Sequence, residues 1–120
     1  MMDDMKKKPA LAHCAVDYAF QRIGGKYKGR ILWVLRQDRK RYGELHRAII
    51  GVTHKMLAQA LKELEADGLI NRQVYMEVPP RVEYSLTNTG LGLIPAIQLL
   101  REWAVDQMST NKDLVILVKT

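Results

Sequence analysis

The sequence predicts a mostly α-helical fold with one small β-hairpin, organised as a single domain over residues 1–120. The composition suits one globular domain, since 48% of the 120 residues are hydrophobic and 27% are charged. Apolar residues recur at helical spacing in several separate segments. Two short segments rich in β-branched and aromatic residues flank Pro79-Pro80, which is typical of a hairpin with its turn.

The amino-terminal part predicts a loose arm over residues 1–11, followed by two helices. Residues 12–23 predict the first helix, because five apolar residues share one face: Ala15, Val16, Ala19, Phe20 and Ile23. Gly24 and Gly25 interrupt this pattern, and residues 28–35 predict the second helix. The polar segment QDRKR then predicts a turn.

Residues 41–67 predict two further helices joined by a tight turn. The first should run over residues 42–50 and end at Gly51. Its predicted buried residues are Leu45, Ala48 and Ile49. Thr53 offers a hydroxyl that can cap the next helix, and Gly68 offers the flexible backbone that commonly ends one.

The helix predicted over residues 53–66 has two contrasting faces. At 100° per residue, four apolar residues gather on one side: Leu57, Ala60, Leu61 and Leu64. On the opposite side, Lys55, Gln59 and Lys62 lie within about 60° of one another. We call these three residues the recognition stripe. Glu63 should lie toward its flank, so the stripe is predicted to offer hydrogen-bond donors without a carboxylate among them, whereas an ordinary surface helix mixes both signs.

A hairpin is predicted over residues 70–86, with strands at about 71–78 and 82–86. The two prolines between the strands cannot donate to a ladder, so they belong at the tip or at an edge. Arg81 should project from this tip or from close beside it.

The last helix is predicted over residues 89–107, and Pro95 within it should cause a kink or a later true start. Its apolar arc is too wide for packing against one small domain. We therefore expect the rest of this arc to be buried against a second copy of the chain in a homodimer. The predicted dimer contacts are Phe20, Ile97, Leu100 and Trp103. The tail over residues 108–120 contains the apolar run LVILV, whose role the pattern does not define.

Positive charge is concentrated in one third of the chain. Residues 22–62 contain eleven Lys or Arg and two Asp or Glu, a net charge of +9, whereas the rest of the chain carries −3. This distribution is typical of a surface that contacts a polyanion, although a solvated basic face without a partner has the same composition.

The order of elements, two helices joined by a tight turn and then a hairpin, predicts a winged helix-turn-helix that binds double-stranded DNA. The helix over residues 53–66 should lie in a major groove, where Gln59 can pair with adenine and Lys55 with guanine. Arg81 could reach the adjacent minor groove. Further candidate contacts, mostly to phosphates, are Arg39, Arg41, Thr53, His54 and Lys62.

The chain resembles the HxlR-type regulators, winged-helix bacterial transcription factors related to the MarR group. The matching segments cover most of residues 14–107: IGGKYKGRILWVL, RYGELHRAIIGVTHKMLAQALKELEADGLINRQVY, VPPRVEYSLTNTG and the closing helix to Trp103. The resemblance implies a homodimer joined by its N- and C-terminal helices that binds a palindromic operator, and we expect a repressor. Tyr27 departs from the pattern, since the family usually has Trp there, and the tail after residue 108 lies outside it.

Cys14, the single cysteine, lies where many family members carry one, and in some of them it senses oxidants or electrophiles. A position near a helix N-terminus, beside His13 and a basic arm, favours the reactive thiolate. A bridge would have to join Cys14 to its copy in a dimer or to a small thiol. The alternative interpretation is a small buried hydrophobe.

Other functions find little support in the residues. No set of nucleophile, base and orienting group is recognisable, so we do not expect an enzyme, and we expect neither a cofactor nor a metal site. A single cysteine, no secretory signal and no apolar run of about 20 residues favour a cytoplasmic protein without a membrane partner. Two alternatives stay open: a regulator with a small-molecule pocket at the dimer groove, and a winged-helix module that binds proteins without an operator.

Overall fold

The computed structural model describes residues 12–110. The predicted arm over residues 1–11 and the tail from residue 111 onward lie outside the described residues. Within them, six helices and three strands follow one another along the chain: α1 Ala15–Ile23, α2 Lys28–Val34, β1 Lys40–Arg41, α3 Tyr42–Ala48, α4 His54–Ala66, β2 Ile70–Tyr75, β3 Arg81–Leu86, α5 Asn88–Leu91 and α6 Ile94–Met108.

The helix pair α3–α4 followed by the β2–β3 hairpin is the predicted winged helix-turn-helix. The hairpin is antiparallel and places Ile70 opposite Leu86 and Tyr75 opposite Arg81. A third strand, β1, pairs with β3 on its other side, so the strand order is β1-β3-β2. A turn was predicted at β1, because two residues are too few to show the alternation of a strand.

The core lies between α2, α3, α4 and the start of β2. Its largest fully buried side chains are Ile31, Leu32, Leu45, Ile49, Leu57, Leu64 and Ile70. The four apolar residues predicted on α4 are all buried. Ala48 is exposed, contrary to the prediction, because α3 ends there and the chain turns away before Ile49 re-enters the core.

The turn between α3 and α4 is tied to α2 by two side chains. The hydroxyl of the buried Tyr27 donates to the carbonyl of Gly51 at 3.1 Å, and the guanidinium of Arg30 donates to the carbonyl of Ile50 at 3.0 Å. Gly51 has φ +91°, a conformation that favours glycine, and it lies in the turn after α3. The helix itself ends at Ala48, two residues earlier than predicted, with Ile49 as its C-cap. The contacts of α2 with the turn fix the angle at which α4 leaves it.

The carboxyl-terminal segment forms two helices rather than one. The short α5 is capped by the Thr87 hydroxyl, which accepts from the Gly90 N–H at 3.0 Å. Pro95 lies in the first turn of α6, where its missing N–H removes no helical hydrogen bond. Of the two predicted effects of Pro95, the later start is therefore the one that occurs.

Gly90 allows α5 to approach the backbone that leads into β2. A Cβ at this buried position would lie 2.1 Å from the carbonyl oxygen of Leu69. We expect Gly90→Ala to lower the free energy of unfolding by about 2 kcal/mol, because the two backbones must separate. At equal protein concentration, calorimetry should show the Tm falling by roughly 10 °C.

Gly43→Ala is the matched control for this substitution. Gly43 lies in α3, and an added Cβ would make only an ordinary contact of 3.4 Å with the Arg47 side chain. Alanine should therefore keep or raise the Tm, since it is the better helix former. A Tm of Gly90→Ala equal to that of the unsubstituted protein would show that the approach of α5 is not tight.

Candidate DNA-binding interface

The recognition stripe lies on the solvent side of α4. The Thr53 hydroxyl begins the helix by accepting the Met56 N–H at 3.1 Å. Gly68, with φ +74°, follows its end as predicted. Because the opposite face is anchored in the core, Lys55, Gln59 and Lys62 are all exposed. The prediction of two contrasting faces on this helix is confirmed.

One detail of the stripe differs from the prediction. The carboxylate of Glu63, which was expected toward the flank, accepts a hydrogen bond from Gln59 Nε2 at 2.6 Å. The same carboxylate forms an ion pair with Lys28 of α2, whose Nζ lies 2.7 Å away. A carboxylate therefore contacts the stripe directly, and a lysine from outside the helix-turn-helix offsets its charge.

The first turn of α4 carries a cluster of rings. The Tyr42 hydroxyl lies 3.0 Å from His54 Nδ1 and 3.2 Å from the His54 carbonyl oxygen. The His46 and His54 rings stack in parallel with centroids 3.8 Å apart. Burial, with a smaller contribution from Tyr84, raises the pKa of Tyr42, so its hydroxyl stays protonated at neutral pH and can donate. Thr53 and His54 themselves are exposed beside the stripe.

Just before α3 lie Arg39 and Arg41, and both residues are exposed. Arg39 extends toward the hairpin, where Nη1 donates to the Tyr75 hydroxyl at 3.2 Å and lies 3.5 Å from the Glu83 carboxylate. The backbone N–H of Arg41 donates to the Glu44 carboxylate at 2.8 Å. Strand β1 joins these two arginines to the hairpin rather than leaving them on a free turn.

Arg81 stands at the base of the hairpin loop instead of projecting from the tip. Its guanidinium donates to Glu83 at 2.6 Å and to Glu77 at 2.8 Å, and it lies 3.9 Å above the Tyr75 ring. The Glu77 hydrogen bond is the main cause that raises the pKa of Arg81, which therefore stays charged. The contact with Glu83 could have been predicted, because residues two apart on one strand share a face. The contact with Tyr75 depends on the strand register, which places Tyr75 opposite Arg81.

The tip of the hairpin is apolar. The Met76 and Val78 side chains are fully open to solvent there, next to Pro79 and Pro80. Sequence reasoning assigned these residues no role. The sequence could have shown that they are exposed, since apolar side chains in a turn between two strands have no core to enter.

Cys14 lies immediately before α1 and is exposed. Its Sγ accepts the Asp17 N–H at 3.4 Å, so the cysteine serves as the helix cap. The His13 N–H donates to the Asp17 carboxylate at 3.0 Å. Within one chain, Cys14 is therefore an accessible thiol and not the buried hydrophobe of the alternative interpretation.

Helices α1 and α6 expose large apolar side chains. Phe20 is 56% exposed, Leu100 49% and Trp103 65%. Ile97 differs from these three, because it is half-buried against the chain's own core. Between α6 and the helices α2 and α3 lies an open, mainly apolar cleft of about 730 Å³. Its lining includes Ile23, Trp33, Ile50, Leu100, Arg101 and Met108.

Residues 12–110 contain neither a metal-binding cluster nor a membrane-spanning helix. No group of three or more His, Cys, Asp or Glu in this range is placed to hold a metal ion. None of the helices in the same range combines the length and the apolar character that crossing a bilayer requires.

Known proteins share this sequence and fold. The profile of the HxlR-like helix-turn-helix family matches residues 22–112. A protein of Fusobacterium mortiferum named as a regulatory protein, MalR, is 48% identical over 103 residues, which cover 85% of this chain and 96% of that protein. The redox regulator HypR in its oxidized form is similar with a TM-score of 0.73 and 43% identity, over 75% of this chain and 93% of that one.

A second solved structure, the reduced form of the transcriptional regulator YodB from Bacillus subtilis, has a TM-score of 0.68 and 38% identity. The similarity covers 76% of this chain and 90% of that one. These relatives are named as regulators and not as enzymes, in agreement with the prediction from the sequence. The chain is a transcriptional regulator of the DNA-binding kind, and it belongs to the HxlR-like helix-turn-helix family.

Proposed function

We propose that the protein is a homodimeric repressor that binds a palindromic operator, with one α4 helix in the major groove of each half-site. The observation that carries this proposal is the recognition stripe, which is exposed on a helix whose other face is fixed in the core. Lys55 and Gln59 carry the donors that read guanine and adenine edges. Thr53, His54, Lys62, Arg39 and Arg41 surround them with phosphate contacts.

The exposed apolar faces of α1 and α6 support the dimer. An isolated chain would leave Phe20, Leu100 and Trp103 in water, whereas a two-fold contact between two copies buries them. A two-fold axis in the protein matches a two-fold axis in the DNA, so the proposed operator is palindromic. A repressor then acts by occupying DNA that the transcription machinery needs.

We further propose that Cys14 senses oxidants, an assignment supported by its exposure and by the similarity to the redox regulator HypR. With hydrogen peroxide, the Cys14 thiolate attacks one oxygen, forms a sulfenic acid and releases hydroxide, which takes up a proton to give water. The thiol of the partner's Cys14 then displaces water and closes a disulfide. Two thiols and one peroxide thus give one disulfide and two waters, and the new bond shifts the α1 helices relative to the DNA-reading helices.

Fluorescence anisotropy on the DNA upstream of the protein's own gene, against a scrambled duplex, tests both parts of this proposal. The reduced protein should bind the upstream duplex at least about 100-fold more tightly than the scrambled one. Hydrogen peroxide should abolish this preference, and a thiol reductant should restore it. Cys14→Ser should bind like the reduced protein and ignore the oxidant.

The outcomes separate the candidate functions. Tight binding that ignores the oxidant would keep the repressor and reject Cys14 as its sensor. The second candidate, a ligand-responsive regulator, would then lead, because the apolar cleft of about 730 Å³ beside α6 lies where such a pocket is expected. Equal, weak binding to both duplexes would favour the protein-interaction module, although the stripe lacks the apolar anchors that such a contact uses.

A further inference from the structure

The contacts of Gln59 extend beyond its own helix. Its amide Nε2 donates to the Glu63 carboxylate at 2.6 Å, and Lys28 Nζ lies 2.7 Å from the other oxygen of that carboxylate. Lys28 belongs to α2, which is outside the helix-turn-helix, and its side chain is 16% exposed. A chain of three side chains therefore links α2 to the middle of the recognition stripe.

This contact determines which way the Gln59 amide points. A carboxylate only accepts hydrogen bonds, so the amide must turn its nitrogen, and not its oxygen, toward Glu63. One of the two Nε2 hydrogens is then engaged, which leaves one N–H and the carbonyl oxygen for another partner. Gln59 needs this N–H and this carbonyl oxygen to pair with adenine, because N7 of adenine accepts a hydrogen bond and the N6 amino group of adenine donates one.

The charge of Glu63 would by itself oppose DNA binding, since a carboxylate on α4 faces the phosphates that line the groove. Lys28 offsets this charge at hydrogen-bond distance; its own side chain is 16% exposed and that of Glu63 is 43% exposed, so solvent screens the pair only in part. The carboxylate can therefore hold Gln59 without adding a free negative charge to the interface.

We propose that Glu63 is a positioning residue that presets the Gln59 amide for adenine, and that Lys28 of α2 makes this arrangement compatible with DNA. The inference rests on the proposed function, since it assigns how the α4 helix reads one base pair. It also makes α2, which touches no base in the proposed complex, a determinant of sequence preference.

The test compares four variants on one set of duplexes. A duplex selected from random sequence by the unsubstituted protein is changed one base pair at a time, and Gln59→Ala identifies the pair that Gln59 reads. Glu63→Ala removes the holding contact, whereas Glu63→Gln keeps an oxygen that can accept from Gln59. Glu65→Ala is the matched control, because Glu65 is exposed on the same helix and its side chain makes none of the contacts with Gln59.

A well-formed bidentate contact discriminates between base pairs by roughly 5- to 150-fold. In Glu63→Ala, the preference at the Gln59 pair should fall toward unity, while binding to scrambled DNA becomes equal or tighter because a negative charge is lost. Glu63→Gln should retain the preference and tighten binding to scrambled DNA, because Lys28 is released. Glu65→Ala should retain the preference.

A preference unchanged in Glu63→Ala would overturn the inference and leave the proposed function intact. An unsubstituted protein that prefers no sequence would overturn both. Nuclear magnetic resonance of the DNA-free protein separates these failures: one Nε2 proton of Gln59 should lie further downfield and exchange with solvent more slowly than the same proton in Glu63→Ala. Glu65→Ala should leave both values unchanged, and equal shifts and exchange rates in Glu63→Ala and the unsubstituted protein would overturn the positioning itself.

Discussion

Leu100→Glu and Trp103→Glu are each expected to convert the proposed dimer into a monomer. Both side chains are about half exposed or more on α6, so a glutamate is tolerated by the single chain but would lie against apolar groups in the dimer. We expect the dimer dissociation constant to rise at least about 100-fold, the effect of losing a central apolar anchor. Sedimentation velocity measures the change directly.

Gln37→Glu is the control, since it places the same charge at an exposed position in the loop that follows α2. It should leave the sedimentation profile unchanged. The monomeric variants should retain their helical circular dichroism. They should lose the preference for the operator, because a monomer contacts one half-site and lacks the added affinity of a dimer that binds both half-sites at once. A dimer that persists in both glutamate variants would place the interface away from α6.

Lys55→Ala and Gln59→Ala are expected to reduce operator affinity by about 1–3 kcal/mol each, which is roughly 5- to 150-fold. The reason is that a base contact is lost while the buried face of α4 stays in place. Binding to scrambled DNA should fall much less. Anisotropy on both duplexes at several salt concentrations gives the two affinities and their salt dependence.

Lys62→Ala serves as the comparison within the same stripe. A phosphate contact does not depend on sequence, so this substitution should weaken binding to both duplexes by a similar factor. The salt dependence of binding should show about one fewer counterion released. Similar losses on both duplexes for all three substitutions would reject α4 as the helix that reads bases. Such a result would leave the protein a DNA-binding protein without direct readout through this helix.

Local patterns predicted the helices and the hairpin because the information lies within a few residues. Apolar spacing identified α4 and its buried face, and glycines at positions 51 and 68 marked where helices end. The prediction failed where an element was too short, as with β1, or where a helix end decided burial, as with Ala48. The periodic spacing of apolar residues needs several residues to be recognised. Whether a residue at a helix end is buried depends on the direction of the segment that follows.

The contacts of the site residues likewise include some that local spacing predicts and others that only the packing of distant segments explains. The recognition stripe follows from helical geometry alone, and Glu63 could have been paired with Gln59 from their spacing of four residues. The partnership with Lys28 could not, because 35 positions separate the two residues and only the packing of α2 against α4 joins them. The confinement of Arg81 depends only in part on strand register, which places Tyr75 opposite it, since Glu77 and Glu83 lie four and two residues away in the sequence.

The sequence by itself determined that this protein is a winged helix-turn-helix with a basic, donor-rich face on its fourth helix. That information is local, since periodicity, caps and charge are properties of neighbouring residues. Only the tertiary structure decided which of those charged groups remain open to DNA. Ion pairs form wherever distant segments bring opposite charges within reach, so availability is a property of the packed molecule and not of any single segment.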